Sequence, residues 1–157
     1  MFVSTGLRDY MNITGSLKAG LDGGVIKIYG AVASSAAAVS AIPSDADAAF
    51  DENSAVLLAT ISEDGLGTGI SFHTVSTSGV LPKDTTEVWE GDYVLTGYPS
   101  FARFQSIADD GSASSTNRRV QLTVGILYKE ITISTAQKAL GDTQRLDSFF
   151  LGLPEGS

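Results

Sequence analysis

The start of the chain has the spacing of an amphipathic helix. Side chains three and four residues apart make one apolar stripe, which consists of Leu7, Tyr10, Met11, Thr14, Leu17 and Leu21. Ser4 or Thr5 can cap its beginning, and Gly23-Gly24 ends it because glycine tolerates the left-handed conformation that closes helices. Two internal glycines each weaken such a helix by about 1 kcal/mol relative to alanine. The pattern predicts an N-terminal helical arm over about residues 5–22.

Beyond this arm the apolar positions follow the two-residue period of β-strands. Turns rich in Gly, Asp and Ser separate the strand regions at regular spacing, which favours an antiparallel sandwich or barrel. The predicted strand regions are residues 25–29, 56–61, 70–75, 88–95, 101–107, 119–126, 131–133 and 147–153. We therefore expect one mainly β domain over residues 1–157, an antiparallel, jelly-roll-like β-sandwich of about eight strands with one N-terminal helix.

Residues 30–54 break the strand pattern. They contain mostly Ala and Ser at first, then Pro43-Ser44-Asp45-Ala46-Asp47 and Asp51-Glu52-Asn53. This composition predicts a long surface loop, partly helical around residues 45–50. Long loops in small domains are often functional, so the loop is a candidate contact region.

Composition and charge exclude several classes of protein. The chain has 157 residues, of which 43% are hydrophobic, so it can bury a real core. It has no cysteine, which excludes disulfide scaffolds, thiolate zinc sites and thiol catalysis. The formal net charge of −8 argues against sequence-independent nucleic-acid binding, which needs Lys and Arg to displace phosphate counterions.

The catalytic equipment is sparse. His73 is the one histidine, and on a strand it would face away from Phe72. A triad would need a serine nucleophile and an orienting acid around it, and the chain has no Gly-x-Ser-x-Gly elbow. We expect a protein that is not an enzyme and has no cofactor, with a small serine hydrolase built on His73 as a remote alternative.

Four carboxylates cluster in the predicted loop, at Asp45, Asp47, Asp51 and Glu52. A hard cation such as calcium needs several oxygen ligands on a turning loop, but the Gly and Glu register of an EF-hand is missing. A solvated acidic loop, or one that docks on a basic partner, is favoured over a metal site.

Gly65-Leu66-Gly67-Thr68-Gly69 has the glycine content of a phosphate-binding loop. Such loops open a helix and usually bring a basic residue, whereas strand-like residues follow here. We interpret the segment as a hairpin connection, with nucleotide binding as the alternative.

Aromatic side chains are concentrated in the middle of the chain, at Trp89, Tyr93, Tyr98, Phe101 and Phe104. Exposed aromatic rings can stack on sugars or bases, but at strand spacing they more often form core. Arg118-Arg119 is too small for a nucleic-acid patch, and it could pair with carboxylates of this chain or of a partner.

The sequence shows no targeting or membrane segment. Its first residues lack both a basic region and an apolar run, and residues 30–42 fall well short of the roughly 20 apolar residues that span a bilayer. We expect synthesis in the cytoplasm without secretion, and no membrane partner.

Four groups of segments follow one another along the chain; together they run over most of it, and none is a catalytic signature. They are Leu7-Arg8 leading a helix into Asp22-Gly23-Gly24-Val25-Ile26-Lys27-Ile28-Tyr29; Pro43-Ser44-Asp45-Ala46-Asp47-Ala48-Ala49 with Val56-Leu57-Leu58-Ala59-Thr60-Ile61; Phe101-Ala102-Arg103-Phe104 with Asp110-Gly111 and Gln121-Leu122-Thr123-Val124-Gly125; and Asp147-Ser148-Phe149 with Leu153-Pro154-Glu155-Gly156. In this order, the segments resemble a family of small virion proteins encoded among the structural genes of tailed bacteriophages.

The resemblance implies a capsid decoration (cement) protein on the outer surface of the virion. Its partners would be the major capsid protein and further copies of itself, with a trimer expected from the threefold axes of such shells. The alternative is a tail component or a module that binds a host-surface glycan. No site residue follows from the resemblance, and the chain departs from the family pattern at Tyr128-Lys129-Glu130 and in the inserted residues 30–42. Residues 30–53 and the N-terminal segment are the candidate contact arms.

Overall fold

The computed structural model describes residues 1–35 and 41–152 and confirms a mainly β fold, with 40% strand and 11% helix. Besides the one-turn 3-10 helix at Ala33–Ser35, this part of the chain forms two α-helices and ten strands. The helices are α1 (Thr5–Ile13) and α2 (Leu17–Leu21). The strands are β1 (Phe2–Val3), β2 (Gly24–Val32), β3 (Val56–Glu63), β4 (Val80–Pro82), β5 (Trp89–Asp92), β6 (Gly97–Ser106), β7 (Val120–Gly125), β8 (Ile131–Thr132), β9 (Thr143–Leu146) and β10 (Phe150–Gly152).

Eight of these strands form one sheet in the order β1-β7-β6-β2-β3-β5-β9, with β8 beside β7. All pairs are antiparallel except β7–β8, which is parallel. The two other strands, β4 and β10, form a small antiparallel sheet of their own. The predicted antiparallel class with about eight main strands is confirmed.

The main core joins strands that are far apart in the sheet order. Val120 and Ile131 at one side and Trp89 and Leu146 at the other belong to a single cluster of buried side chains. The eight-stranded sheet therefore bends around one apolar core. Trp89 lies at its centre, fully buried, with its ring 5.4 Å from the ring of Phe72.

The long central strands β2 and β6 approach closely where β2 shifts register after Tyr29. Gly30 lies at this shift, and a Cβ atom there would meet the carbonyl oxygen of Tyr98 at 2.0 Å. Only glycine therefore allows the two backbones to pair across the irregularity.

The predicted N-terminal helix is two helices, which corrects the expectation of one. Thr14 caps the end of α1, where its N–H donates to the carbonyl of Tyr10. Ser16 caps the beginning of α2, where its side-chain oxygen accepts the N–H of Ala19 at 3.2 Å. Gly15 lies between them, against the ring of Tyr10. Leu7 and Leu21 of the predicted stripe are buried in the main core, whereas Thr14 is exposed.

Ser4 ties three elements together. Its Oγ accepts the N–H of Leu7 at 3.1 Å, which caps α1, and the N–H of Arg119 at 2.8 Å, while its hydroxyl donates to the carbonyl of Asn117. Ser4 is 1% exposed, so these groups have no access to water. The cap therefore also fixes the start of β7.

We expect Ser4→Ala to lower the free energy of unfolding by about 2 kcal/mol, because it removes the cap and leaves buried N–H groups without an acceptor. Urea unfolding followed by Trp89 fluorescence measures the loss. Ser16→Ala is the matched control, since Ser16 also caps a helix, α2, but is itself exposed to water. A loss no larger than that of the control would contradict the role assigned to Ser4.

The predicted loop over residues 30–54 begins later than expected. Residues 30–32 continue β2, because they pair with residues 97–99 of β6. The expected helical turn around residues 45–50 is also wrong: Asp45 Oδ1 accepts the N–H groups of Asp47 and Ala48, and the segment forms bends. Residues 36–40 of this loop lie outside the described residues.

Other strand predictions need correction at the edges. Residues 70–75 form only isolated bridges at Ile70 and Phe72, and the short strands β1, β4 and β9 were not predicted. The last predicted strand is β10, while Leu153 lies outside the described residues. Neither described helix has the length and apolar character required to cross a bilayer.

Candidate interaction surface

Three exposed apolar side chains follow one another on the segment between β7 and β8. Ile126, Leu127 and Tyr128, which we call the apolar tip, are 47%, 67% and 100% exposed. Tyr128 has φ of 55°, a left-handed conformation that is unusual for a bulky residue. At this residue the backbone is strained and the aromatic ring is fully exposed to solvent.

The base of the apolar tip is held by specific hydrogen bonds. Glu130 Oε2 accepts the N–H of Thr123 at 2.7 Å and also its hydroxyl, while Oε1 binds the Met1 ammonium at 2.7 Å. Partial burial works to raise the pKa of Glu130, but the ammonium and the backbone N–H outweigh it and hold this pKa below its ordinary value. Ile133 donates its N–H to the carbonyl of Gly125 at 2.9 Å. These contacts hold the base of the tip in one conformation.

Further exposed apolar residues lie at the same end of the sheet. Antiparallel pairing brings the end of β7, the start of β6 and the end of β5 to one end, and Lys138 bridges to Gly97 there. The segments at this end carry Val94, Leu95 and Leu140, which are 58%, 43% and 67% exposed. We call these three residues and the apolar tip together the apolar end.

Charges are divided unequally between interior and surface. Of the ten Lys and Arg residues, four are buried: Lys83, Arg103, Arg119 and Lys138. Of the carboxylates in the described residues, only that of Asp109 is buried. The outward face of the protein is therefore more acidic than the composition alone suggests.

A buried polar layer lies on the face of β2, β6 and β7 that the loops cover. Arg119 donates from Nε and Nη2 to the two carboxylate oxygens of Asp109, both at 2.6 Å, and neither residue is more than 6% exposed. Burial works to raise the pKa of Asp109, but the hydrogen bonds from Arg119 and from the N–H of Gly111 outweigh it and hold this pKa below its ordinary value. The pair fixes the segment between β6 and β7 to the sheet.

The same layer also holds the acidic loop. Arg103 Nη2 donates to the carbonyl of Asp45 at 3.3 Å, and Gln121 Nε2 donates to that of Pro43 at 2.9 Å. Burial and the nearby Arg119 lower the pKa of Arg103, whose Nη1 has no hydrogen-bond partner among the described residues. Apart from the arginines themselves, nothing in the sequence indicated that polar side chains form a buried layer here.

His73 does not meet a nucleophile in the part of the chain described. Its Nδ1 accepts the N–H of Val75 at 3.2 Å, and no hydrogen bond joins the imidazole to a serine there. The His73 ring is partly exposed and the neighbouring Phe72 is buried, so the two side chains face opposite ways, as the sequence predicted. The geometry gives no support to a hydrolase built on His73.

Carboxylates of the acidic loop accept hydrogen bonds from backbone N–H groups of this chain. Asp45 Oδ1 closes a turn, and Asp47 Oδ1 accepts the N–H of Thr5 at 2.9 Å at the start of α1. Glu52 accepts the N–H of Ser44 at 3.4 Å. Among residues 1–35 and 41–152, no three metal-ligating side chains come together.

The glycine-rich segment is a hairpin connection, as predicted. Glu63 and Thr68 form an antiparallel bridge, and Ser62 Oγ accepts the N–H of Gly67 at 2.8 Å. Gly69 packs against the backbone of Gly23, where a Cβ atom would lie 2.3 Å from the carbonyl oxygen. The segment opens no helix, so its N–H groups are not arranged for a phosphate.

Most of the predicted aromatic core is confirmed. Trp89, Tyr93, Phe101 and Phe104 are at most 1% exposed, and Tyr98 is half-buried. They are therefore unable to form a stacking platform for sugars. Of the two neighbouring arginines, Arg119 binds a carboxylate of this chain, which is one of the two possibilities that the sequence left open.

Its neighbour Arg118 is exposed and lies over the ring of Tyr10, with 4.6 Å to the ring centroid. This cation–π contact holds the guanidinium against α1.

Comparison with protein-family models, with curated proteins and with solved structures finds no match for this chain.

Proposed function

We propose that the protein decorates the capsid of a tailed bacteriophage, where it binds the outer surface of the major capsid protein lattice and stabilises the head. The observation that supports the proposal is the apolar end, a set of exposed apolar side chains that the segments at one end of the sheet carry. The resemblance of the sequence to small virion proteins supports the same conclusion.

A decoration protein needs contact surface and multiple copies more than chemistry. Many copies on one lattice reinforce each other, so a small apolar surface with modest affinity is sufficient for each copy. A rigid tip suits this role because little conformational entropy is lost on docking. The fixed base of the apolar tip provides that rigidity.

The charge distribution favours a basic partner surface. One carboxylate of the described residues is buried, whereas four of the ten Lys and Arg side chains are buried. Negative charge therefore predominates on the surface of the protein. The field of this charge speeds association with a cationic surface and repels nucleic acid. We therefore expect the rate of binding to capsids to fall as salt concentration rises.

The contact region differs from the N-terminal segment that the sequence suggested. Phe2 and Val3 pair with β7, and Ser4 caps α1, so this segment is part of the fold. Deletion of residues 2–5 would therefore weaken folding together with docking. The described part of the acidic loop is likewise held on the sheet, and we propose the apolar end as the docking surface instead.

Cryo-electron microscopy of the intact particle, with quantitative gel densitometry, tests the proposal. We expect density on the outer capsid at on the order of hundreds of copies, as a lattice of repeated subunits requires. Clusters of three copies would support the expected trimer. Absence of the chain from the capsid would overturn the proposal.

A tail or host-surface module is the second candidate, and it is favoured by one observation. Tyr128 is 100% exposed, and an exposed aromatic ring can stack on a sugar. This role predicts a few to tens of copies at the tail and binding to purified host glycans that Tyr128→Ser abolishes. Density confined to the tail would favour it over decoration.

A further inference from the structure

The small sheet leaves one strand edge open. β10 pairs with β4 through Phe150↔Pro82, Leu151↔Leu81 and Gly152↔Val80, and no described residue pairs with its other edge. Two strands of three residues are marginal on their own, and an open edge offers hydrogen-bonding groups to another strand.

The alternation of an antiparallel ladder decides which groups face outward. Lys83 donates its N–H to the carbonyl of Phe149 at 2.9 Å, so the next hydrogen-bonded pair along the ladder is Leu151 with Leu81. The N–H and C=O groups of Phe150 and Gly152 therefore point to the open edge.

The side chains of β10 are complementary to a reversed copy of the same strand. Phe150 is 65% exposed, and Gly152, two residues on, lies on the same face without a side chain. A twofold axis at Leu151 places Phe150 of each copy opposite Gly152 of the partner subunit. A cross-strand aromatic ring covering a glycine is a favourable pair in sheets.

The charge distribution also suits a second copy at this place. The chain has a formal net charge of −8, yet residues 74–82 and 148–152 contain no charged residue. The strand β10 itself therefore brings no like charges opposite each other when two acidic copies pair along it. Val75, 60% exposed, adds to the uncharged surface near β4.

We infer that two copies of the chain associate through β10, antiparallel about Leu151, and so form one four-stranded sheet. The backbone groups of Phe150 bond to those of Gly152 of the partner subunit, and both rings lose contact with water. The contact is small and therefore weak in solution, but the high local concentration on a lattice would strengthen it. It does not depend on the proposed function.

Sedimentation equilibrium of the intact chain tests the inference. At about 100 µM, where micromolar contacts are populated, we expect a reversible mass increase toward two copies. Phe150→Ser and Gly152→Pro should each weaken the association at least about tenfold, the first by removing the ring and the second by removing an outward N–H. Leu66→Ser is the matched control, because it removes an apolar side chain that is 81% exposed elsewhere and should leave the association unchanged.

Amide hydrogen exchange identifies the register independently of these variants. The N–H groups of Phe150 and Gly152 should gain protection as the protein concentration rises, while that of Leu151, already bonded to β4, should not change. Unfolding curves confirm that each variant remains folded. A chain that stays monomeric at about 1 mM, forms trimers only, or associates equally well as Phe150→Ser would overturn the inference.

Discussion

Asp109→Asn is expected to lower the free energy of unfolding by about 3–5 kcal/mol, because it leaves the Arg119 guanidinium buried without a counter-charge. Arg119 is 0% exposed, and both of its charged hydrogen bonds to Asp109 are 2.6 Å long. Asparagine has nearly the same size as aspartate, so the loss reports charge and not a cavity. Urea unfolding followed by the fluorescence of Trp89, the one tryptophan, measures it.

Asp147→Asn is the matched control for this change. Asp147 also pairs with an arginine, Arg145, at 2.8 Å, but the two side chains are 82% and 55% exposed. An exposed pair of this kind contributes less than about 1 kcal/mol, so the control should be nearly neutral. Equal losses in both variants would contradict the role of burial at Asp109.

The same pair predicts an acid transition. The pKa of Asp109 in the folded chain lies below its ordinary value, so the pair contributes stability at neutral pH. As pH falls below about 4, the unfolded chain takes up the proton first, and the contribution disappears as pH passes through the lower folded pKa. Asp109→Asn should therefore unfold with a weaker dependence on pH in this range than the unchanged chain.

The sequence predicted the interior strands well and the edge strands poorly. β2, β3, β6 and β7 are apolar runs flanked by turn residues, and their period is visible in the sequence. The strands β1, β4 and β9 have two to four residues each, and β9 reads Thr-Gln-Arg-Leu. Such strands form because a neighbour offers a partner edge, which local sequence does not record.

The covered face of the sheet explains why the buried arginines were missed. Arg103 lies between Ala102 and Phe104, and a charged residue in an alternating strand is normally assigned to the solvent side. Here the loop around Asp45 lies over that side, and the carbonyl oxygen of Asp45 accepts a hydrogen bond from the guanidinium. The burial of Arg103 depends on a contact 58 residues away, so it needed the structure.

The exposure of the apolar tip was not predicted, because the alternating pattern of β7 continues into its first residue. Ile126 continues the alternation of Val120, Leu122 and Val124, which are all buried, so the predicted strand region 119–126 includes it. The strand ends at Gly125 instead, and the following residues turn outward. Sequence alone marked Tyr128-Lys129-Glu130 only as a departure from the family pattern, and its exposure comes from the structure.

The double variant Leu127→Ser, Tyr128→Ser is expected to weaken binding to purified, undecorated capsids by about 100-fold. Exposed aromatic and aliphatic anchors that become buried at an interface each contribute about 1–2 kcal/mol, and a tenfold change corresponds to 1.4 kcal/mol. Both side chains are at least 67% exposed, so their replacement should leave the stability of the isolated chain nearly unchanged. Bound copies per capsid, measured by gel densitometry over a concentration series, give the affinity.

Leu66→Ser is the matched control for the double variant. Leu66 is 81% exposed, but it lies in the turn after β3, at the end of the sheet opposite to the apolar tip. It should therefore bind capsids as the unchanged chain does. If the unchanged chain binds and the double variant binds equally well, the tip is not the docking surface, although decoration still stands. If the unchanged chain does not bind capsids, the decoration proposal itself fails.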